Sequence, residues 1–194
     1  DDIPEPKNLL HAAIGYSNFS KGKIIKIDLS EVIKSKGVVD VITEKDIKGI
    51  NEVGAVFKGD PIFTSKKIQF HGQPIFAVAA TSYKLAKIAA LKVKIKFKET
   101  KPILSIEEAL KNKSYVHDPQ FLKKGDAIKS ILNAKHKLEG ELYSGGQDHF
   151  YLEGQIAMTI PQEDNNYLIY SSTQHPSETQ QIVAKVLKQK FNSI

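Results

Sequence analysis

Apolar residues in this chain fall in short runs, most of them with the period-two spacing of a strand. Leu10 to Ile14, Lys23 to Ile27 and Val38 to Ile42 each predict a strand. Gly37 precedes the third and predicts a glycine stop for a helix or turn over Ser30 to Lys36. Residues 44–66 are rich in Gly, Asp, Asn and Lys and read as a long excursion. Gln73 to Ala80 is almost continuously apolar, the pattern of a strand buried on both faces. Thr81 or Ser82 can cap a helix over Tyr83 to Leu91, with Leu85, Ile88 and Ala89 turned inward. Val93, Ile95 and Phe97 then alternate with Lys92, Lys94, Lys96 and Lys98, giving a strand with one apolar face and one lysine face. Lysines on such a face discourage edge-to-edge pairing.

Past Pro102 the pattern changes. Ser105 and Glu108 have capping-box spacing and open a short helix over Ile106 to Lys111. Residues 112–125 read as a linker, and Asp126 to Asn133 as another short helix. A long β stretch is predicted next. Leu138, Gly140 and Leu142 alternate with polar neighbours, and Phe150, Leu152, Gly154, Ile156, Met158 and Ile160 share one face. Pro161 ends that strand, Gln162 to Asn166 turns, and Tyr167 to Ser171 returns as its partner. Pro176 occupies the first position of a last helix, with Ile182, Val183, Val186 and Leu187 as its apolar stripe. No repeat or low-complexity tract is visible.

Composition narrows the chemistry. The 194 residues are 41% hydrophobic, enough for a real core and too many for a disordered chain. There is no cysteine, which excludes disulfides, thiolate metal sites and a cysteine nucleophile. No apolar run approaches 18 residues, and Asp1 to Pro6 lacks the features of a signal peptide. The chain starts without Met and stops at a helix, so a piece of a longer protein is expected. The +6 charge comes entirely from lysine. Without the guanidinium fork of arginine it makes a diffuse field, and no nucleic-acid recognition is expected.

The six histidines include no pair at metal-ligand spacing. His149 and Glu153 would chelate on a helix, but as strand residues they lie about 13 Å apart. No nucleophile elbow, Walker loop or dinucleotide fingerprint is present. Two polar clusters remain. In residues 143–153, Gln147, Asp148 and His149 follow the pair Gly145-Gly146, which lets the backbone approach a ligand or simply forms a turn. The other, residues 171–180, lies at a strand-to-helix junction. Free helix N–H groups there bind an anion, unless Thr173 or Ser177 caps them.

These segments also carry a resemblance. GGQDHFYLEGQ at 145–155 resembles the signature of the molybdenum-binding subunit in the xanthine dehydrogenase and aldehyde oxidase family. SSTQHPSETQ at 171–180 resembles the bacterial xanthine dehydrogenase branch. DDIPEPKNLLHAA, GVVDVIT at 37–43 and GQPIFAVAA at 72–80 resemble the family's α/β hammerhead domain. The resemblance implies an α+β chain, with a hammerhead domain over residues 1–113. A linker and the first part of a molybdenum-cofactor-binding domain follow over 114–194.

It further implies an oxidoreductase, a xanthine dehydrogenase that hydroxylates hypoxanthine and xanthine to urate with water at a molybdenum–pterin centre. Electrons would leave through 2Fe-2S clusters and FAD, on a partner subunit, to NAD. Gln147 maps onto the glutamine that hydrogen-bonds the molybdenum oxo group, so it is the cofactor-binding and metal-adjacent residue expected here. No catalytic residue is expected within these 194 residues: the glutamate base lies further along the family's chain. A cytoplasmic dimer of heterodimers with no membrane contact is expected, and this stretch alone should be inactive and cofactor-free. Alternatives are an aldehyde or N-heterocycle hydroxylase of the same family, or a non-catalytic hammerhead module for subunit contact.

Overall fold

The most buried strand in the first half of the chain is hydrogen-bonded on both edges. That strand is β5, Pro74–Ala80. It lies between β1 (His11–Tyr16) and β3 (Val38–Thr43), antiparallel to both. The continuous apolar run at this place is what a central strand requires. Its Phe76, Val78 and Ala80 are fully buried. Helix α2, Tyr83–Ala90, follows after a two-residue joint and packs against β1 and β5. Ser82 caps it, its hydroxyl accepting from the Leu85 N–H at 3.3 Å. Its buried face is Ala86, Ala89 and Ala90, small residues that let the helix settle closely on the sheet. Ile88, expected inward, is instead about half exposed. Helical spacing placed both Ile88 and Ala89 near the core, and the closer alanine side won.

The computed structural model describes residues 3–54 and 57–194. Asp1 and Asp2 of the opening segment and residues 55–56 of the excursion lie outside the described residues.

A second sheet has the order β4, β2, β6, built from Lys67–Ile68, Gly22–Asp28 and Lys94–Glu99. β6 is an edge strand, and its lysines are exposed as expected. Ile95 joins the core margin, while Phe97 stacks on Phe19. Helix α1, Ser30–Ile33, is shorter than expected, and Gly37 turns the chain at φ 79° into β3. In the excursion, Asn51 bridges to Phe63, its amide donating to the Phe63 carbonyl at 2.8 Å and accepting the Phe63 N–H at 3.0 Å. The Glu52 carboxylate accepts the N–H groups of Gly54, Gly59 and Asp60 at 2.8–2.9 Å.

The described residues form two units. One runs up to Pro102 and includes Gly154–Ile194; the other is Ile103–Glu153. Within the second, α3 (Ile106–Lys111) carries the expected Ser105 cap, and α4 (Ala127–Asn133) starts one residue later than expected because Asp126 is its cap. The Ser105 hydroxyl accepts from Glu108 N–H, and the Asp126 carboxylate from Lys129 N–H. No residue of this unit is buried. In the first unit, β7 (Ala157–Pro161) and β8 (Tyr167–Ser171) form a hairpin, and α5 (Pro176–Leu187) follows.

Two outcomes follow from this packing. Phe76→Ala should cost about 3–5 kcal/mol in chemical denaturation, and Ile88→Ala about 0.5 kcal/mol or less. Equal losses would mean that Ile88, too, is a core residue. The second outcome concerns acid. The N–H groups of Gly54 and Gly59, then Asp60, hold the Glu52 carboxyl below the usual range. Its contribution is therefore complete above the unfolded carboxyl value, about 4.3, and is lost as pH falls through the lower folded value. The protection of the Gly54, Gly59 and Asp60 amides, relative to an unprotected amide at the same pH, should fall only in that acid window, and at pH 7 in Glu52→Ala.

Candidate functional site

The predicted long β stretch does not form before Ala157. From residue 134 to 156 the chain has neither helix nor strand, and its side chains are exposed. Leu138, Leu142, Phe150 and Leu152 all project into solvent. Of the six residues expected to share one strand face, only Met158 and Ile160 lie on a strand. Two causes are visible. Among the described residues, β8 has five residues and pairs only with Ala157–Pro161, so no neighbour there satisfies a longer strand. Asp148 also competes locally: its carboxylate accepts the Phe150 N–H at 3.0 Å, an Asx turn. Phe150 sits at φ 48°, a left-handed conformation that interrupts any extended run.

Gln147 lies immediately before that turn, exposed in the Ile103–Glu153 unit. His149 and Glu153 are on neither helix nor strand, and no three of His, Cys, Asp or Glu converge as a metal site among the described residues. No helix among the described residues is long and apolar enough to cross a membrane.

The second polar cluster is built more tightly. Ser172 closes the far end of the hairpin, its N–H donating to the Ile156 carbonyl at 3.0 Å and its hydroxyl accepting the Ile156 N–H at 2.8 Å. The Thr173 hydroxyl accepts the His175 N–H at 3.0 Å, which makes a fixed turn around Gln174. Helix α5 then starts at Pro176. His175 occupies the capping position and offers no side-chain hydrogen bond to the helix. Capping by Thr173 or Ser177, the plainer expectation, is therefore not what the junction shows. The first-turn N–H groups of a 12-residue helix are left without a side-chain cap, beside the neutral amide of an exposed glutamine.

Uncapped N–H groups favour a negative oxygen, and α5 carries its own in the first turn, the Glu178 carboxylate.

Residues 1–101 match the family model described as aldehyde oxidase and xanthine dehydrogenase, a/b hammerhead domain. Residues 107–194 match the molybdopterin cofactor-binding domain. The chain is 40% identical over 190 residues to a xanthine dehydrogenase of Calliphora vicina, covering 96% of this chain and 14% of that protein. It is 37% identical over 204 residues to an indole-3-acetaldehyde oxidase of Zea mays, covering 100% of this chain and 15% of that one. Among solved structures, an aldehyde oxidoreductase from Desulfovibrio gigas superposes with a TM-score of 0.84 at 28% identity, over 97% of this chain and 23% of the other. Quinoline 2-oxidoreductase from Pseudomonas putida 86, at 20% identity and a TM-score of 0.82 over 98% of this chain and 26% of that one, shares the fold. The chain thus spans about 14% of the length of the curated relatives it matches.

The exposed segment makes its own prediction. In this chain, amides of residues 138–152 should exchange at near-unprotected rates, while those of β7 and β8 are protected. Trypsin should cut first at Lys135 or Lys137. Protected amides across Leu138–Leu142 would contradict the irregular conformation.

Proposed function

The chain belongs to the aldehyde oxidase and xanthine dehydrogenase family, and on that premise we propose that it is part of a xanthine dehydrogenase, of the bacterial type on the likeness of SSTQHPSETQ at 171–180. It supplies the hammerhead domain, placed at residues 1–113, and the opening of the molybdenum-cofactor-binding domain at 114–194. The whole enzyme hydroxylates hypoxanthine and xanthine in the cytoplasm, paired with a subunit that carries FAD and 2Fe-2S clusters and assembled as a dimer of heterodimers. The molybdenum–pterin group supplies, when bound, the two-electron centre at which oxygen from water is added to carbon.

This chain's share of the chemistry is orientation. An amide that positions an oxo ligand works only if its backbone is fixed within a fraction of an ångström. We assign that amide to Gln147. The signature GGQDHFYLE that carries it and the match of residues 107–194 to the molybdopterin cofactor-binding domain support the assignment. Its side chain is exposed, next to the turn in which the Asp148 carboxylate accepts the Phe150 N–H at 3.0 Å. Substrate choice rests on the 40% identity to a xanthine dehydrogenase, with aldehyde hydroxylation as the alternative that the maize relative represents.

The test is steady-state oxidation of xanthine and of an aldehyde by the holoenzyme containing this chain. Gln147→Ala should lose about 10–100-fold in turnover at equal molybdenum content, and Gln174→Ala much less. The reverse order would move the amide donor to Gln174. Wild-type turnover in both variants would remove this chain from the cofactor's surroundings. Preference for the aldehyde would select the alternative substrate class.

A further inference from the structure

Residues 138–152 carry a strand pattern that their conformation does not use. Leu138, Gly140 and Leu142 alternate with Glu139 and Glu141, and Phe150 and Leu152 resume the alternation after Gly145-Gly146. Glycines at 140, 145 and 146 oppose a helix, so what this pattern can form is a strand with one apolar face and one wet face. The apolar face has no cover: Leu138, Leu142, Phe150 and Leu152 are each at least 92% exposed. The backbone is equally open. Among the described residues, Phe150 N–H is the only backbone donor of this segment with a protein acceptor, the Asp148 carboxylate. A strand cannot bury its own face or pair its own backbone, and one missing neighbour accounts for both kinds of exposure.

Three observations bear on where that neighbour lies. The chain covers 14% of the Calliphora vicina xanthine dehydrogenase and 23% of the Desulfovibrio gigas oxidoreductase, so most of such a protein lies outside these 194 residues. The segment falls in the part matched by the cofactor-binding model, whereas residues 1–101 match a different domain, and elements close in sequence are usually neighbours in space. Finally, a bare apolar edge that waited for a separate chain would invite aggregation, while a neighbour in the same polypeptide is met at high local concentration.

We propose that residues 138–142 and 150–152 are a docking strand for one occupant, an extended segment of the same polypeptide beyond residue 194 with alternating apolar side chains, and that this pairing holds Gln147 in place. Gln147 lies between the two stretches, just after the glycine pair, so ordering both flanks confines its backbone. Only the single hydrogen bond to Asp148 opposes the release of Phe150 from its left-handed turn. The hold on Gln147 rests on its assignment above as the cofactor-facing amide; the pairing stands on pattern and exposure alone.

The experiment uses the whole enzyme containing this chain. In the wild type, the amides of residues 138–142 should exchange about 100-fold or more below unprotected rates. With Leu142→p-benzoylphenylalanine, irradiation should cross-link position 142 to a peptide beyond residue 194 without joining two chains. Leu142→Asp, on the apolar face, should remove the protection and lower turnover about 10–100-fold at equal molybdenum content, as Gln147→Ala does. Glu141→Lys, on the wet face, should change neither. Unprotected wild-type amides would overturn the pairing, whether or not a variant folds. A cross-link to a partner subunit or to a second copy would overturn the occupant. Normal turnover in Leu142→Asp despite lost protection would overturn the hold on Gln147. If Gln147→Ala is itself normal while the segment is protected and cross-linked within its own chain, the pairing stands and the assignment of Gln147 fails.

Discussion

A central strand must hydrogen-bond on both edges and bury both faces, and most of the first hundred residues follow from β5 meeting that demand. β1 and β3 supply the two edges. The two-residue joint after Ala80 leaves α2 nowhere to go but back across the sheet, with its alanine face over Phe76 and Val78. Gln73, at the entry to the strand, is buried and fully employed. Its side-chain oxygen accepts the Gln69 N–H, and its carbonyl accepts the Ser17 N–H. The entry to the strand is thus tied on one side to Gln69 and on the other to Ser17, just after β1.

The same demand explains why the middle of the chain is irregular. Residues 134–156 contain apolar alternation but no neighbouring strand to pair with, and an isolated strand leaves its backbone unsatisfied. Leu138, Leu142, Phe150 and Leu152 are consequently exposed. Only where β8 arrives does the alternation become structure, from Ala157 onward. The hairpin and α5 keep their place beside the first hundred residues in one unit, through contacts such as those of Gly49 and Ile50.

What could be read from residues alone was whatever local physics decides. Ser105 and Glu108 marked α3 to the residue, Tyr167 to Ser171 marked β8, and Pro176 marked the start of α5. The buried strand at 74–80 announced itself by its unbroken apolar run. Matters settled by distant partners were not legible. Pairing decided the fate of Leu138 to Ile156, and period-two spacing cannot report a missing neighbour. The inward side of α2 was misjudged at Ile88 because close packing selected alanines. For the candidate site, both polar clusters were visible as residues. The structure gives each a local turn of the same kind, the Asp148 carboxylate accepting the Phe150 N–H and the Thr173 hydroxyl the His175 N–H, both at 3.0 Å.

The central claim is that Gln147, after the Gly145-Gly146 pair, presents the amide that faces the cofactor. The most direct measurement is an experimental structure of the cofactor-loaded enzyme, read at two side chains. The account predicts the Gln147 amide nitrogen within about 2.7–3.2 Å of an oxygen of the metal centre. Gln174 at that oxygen, with Gln147 turned to solvent, would contradict it.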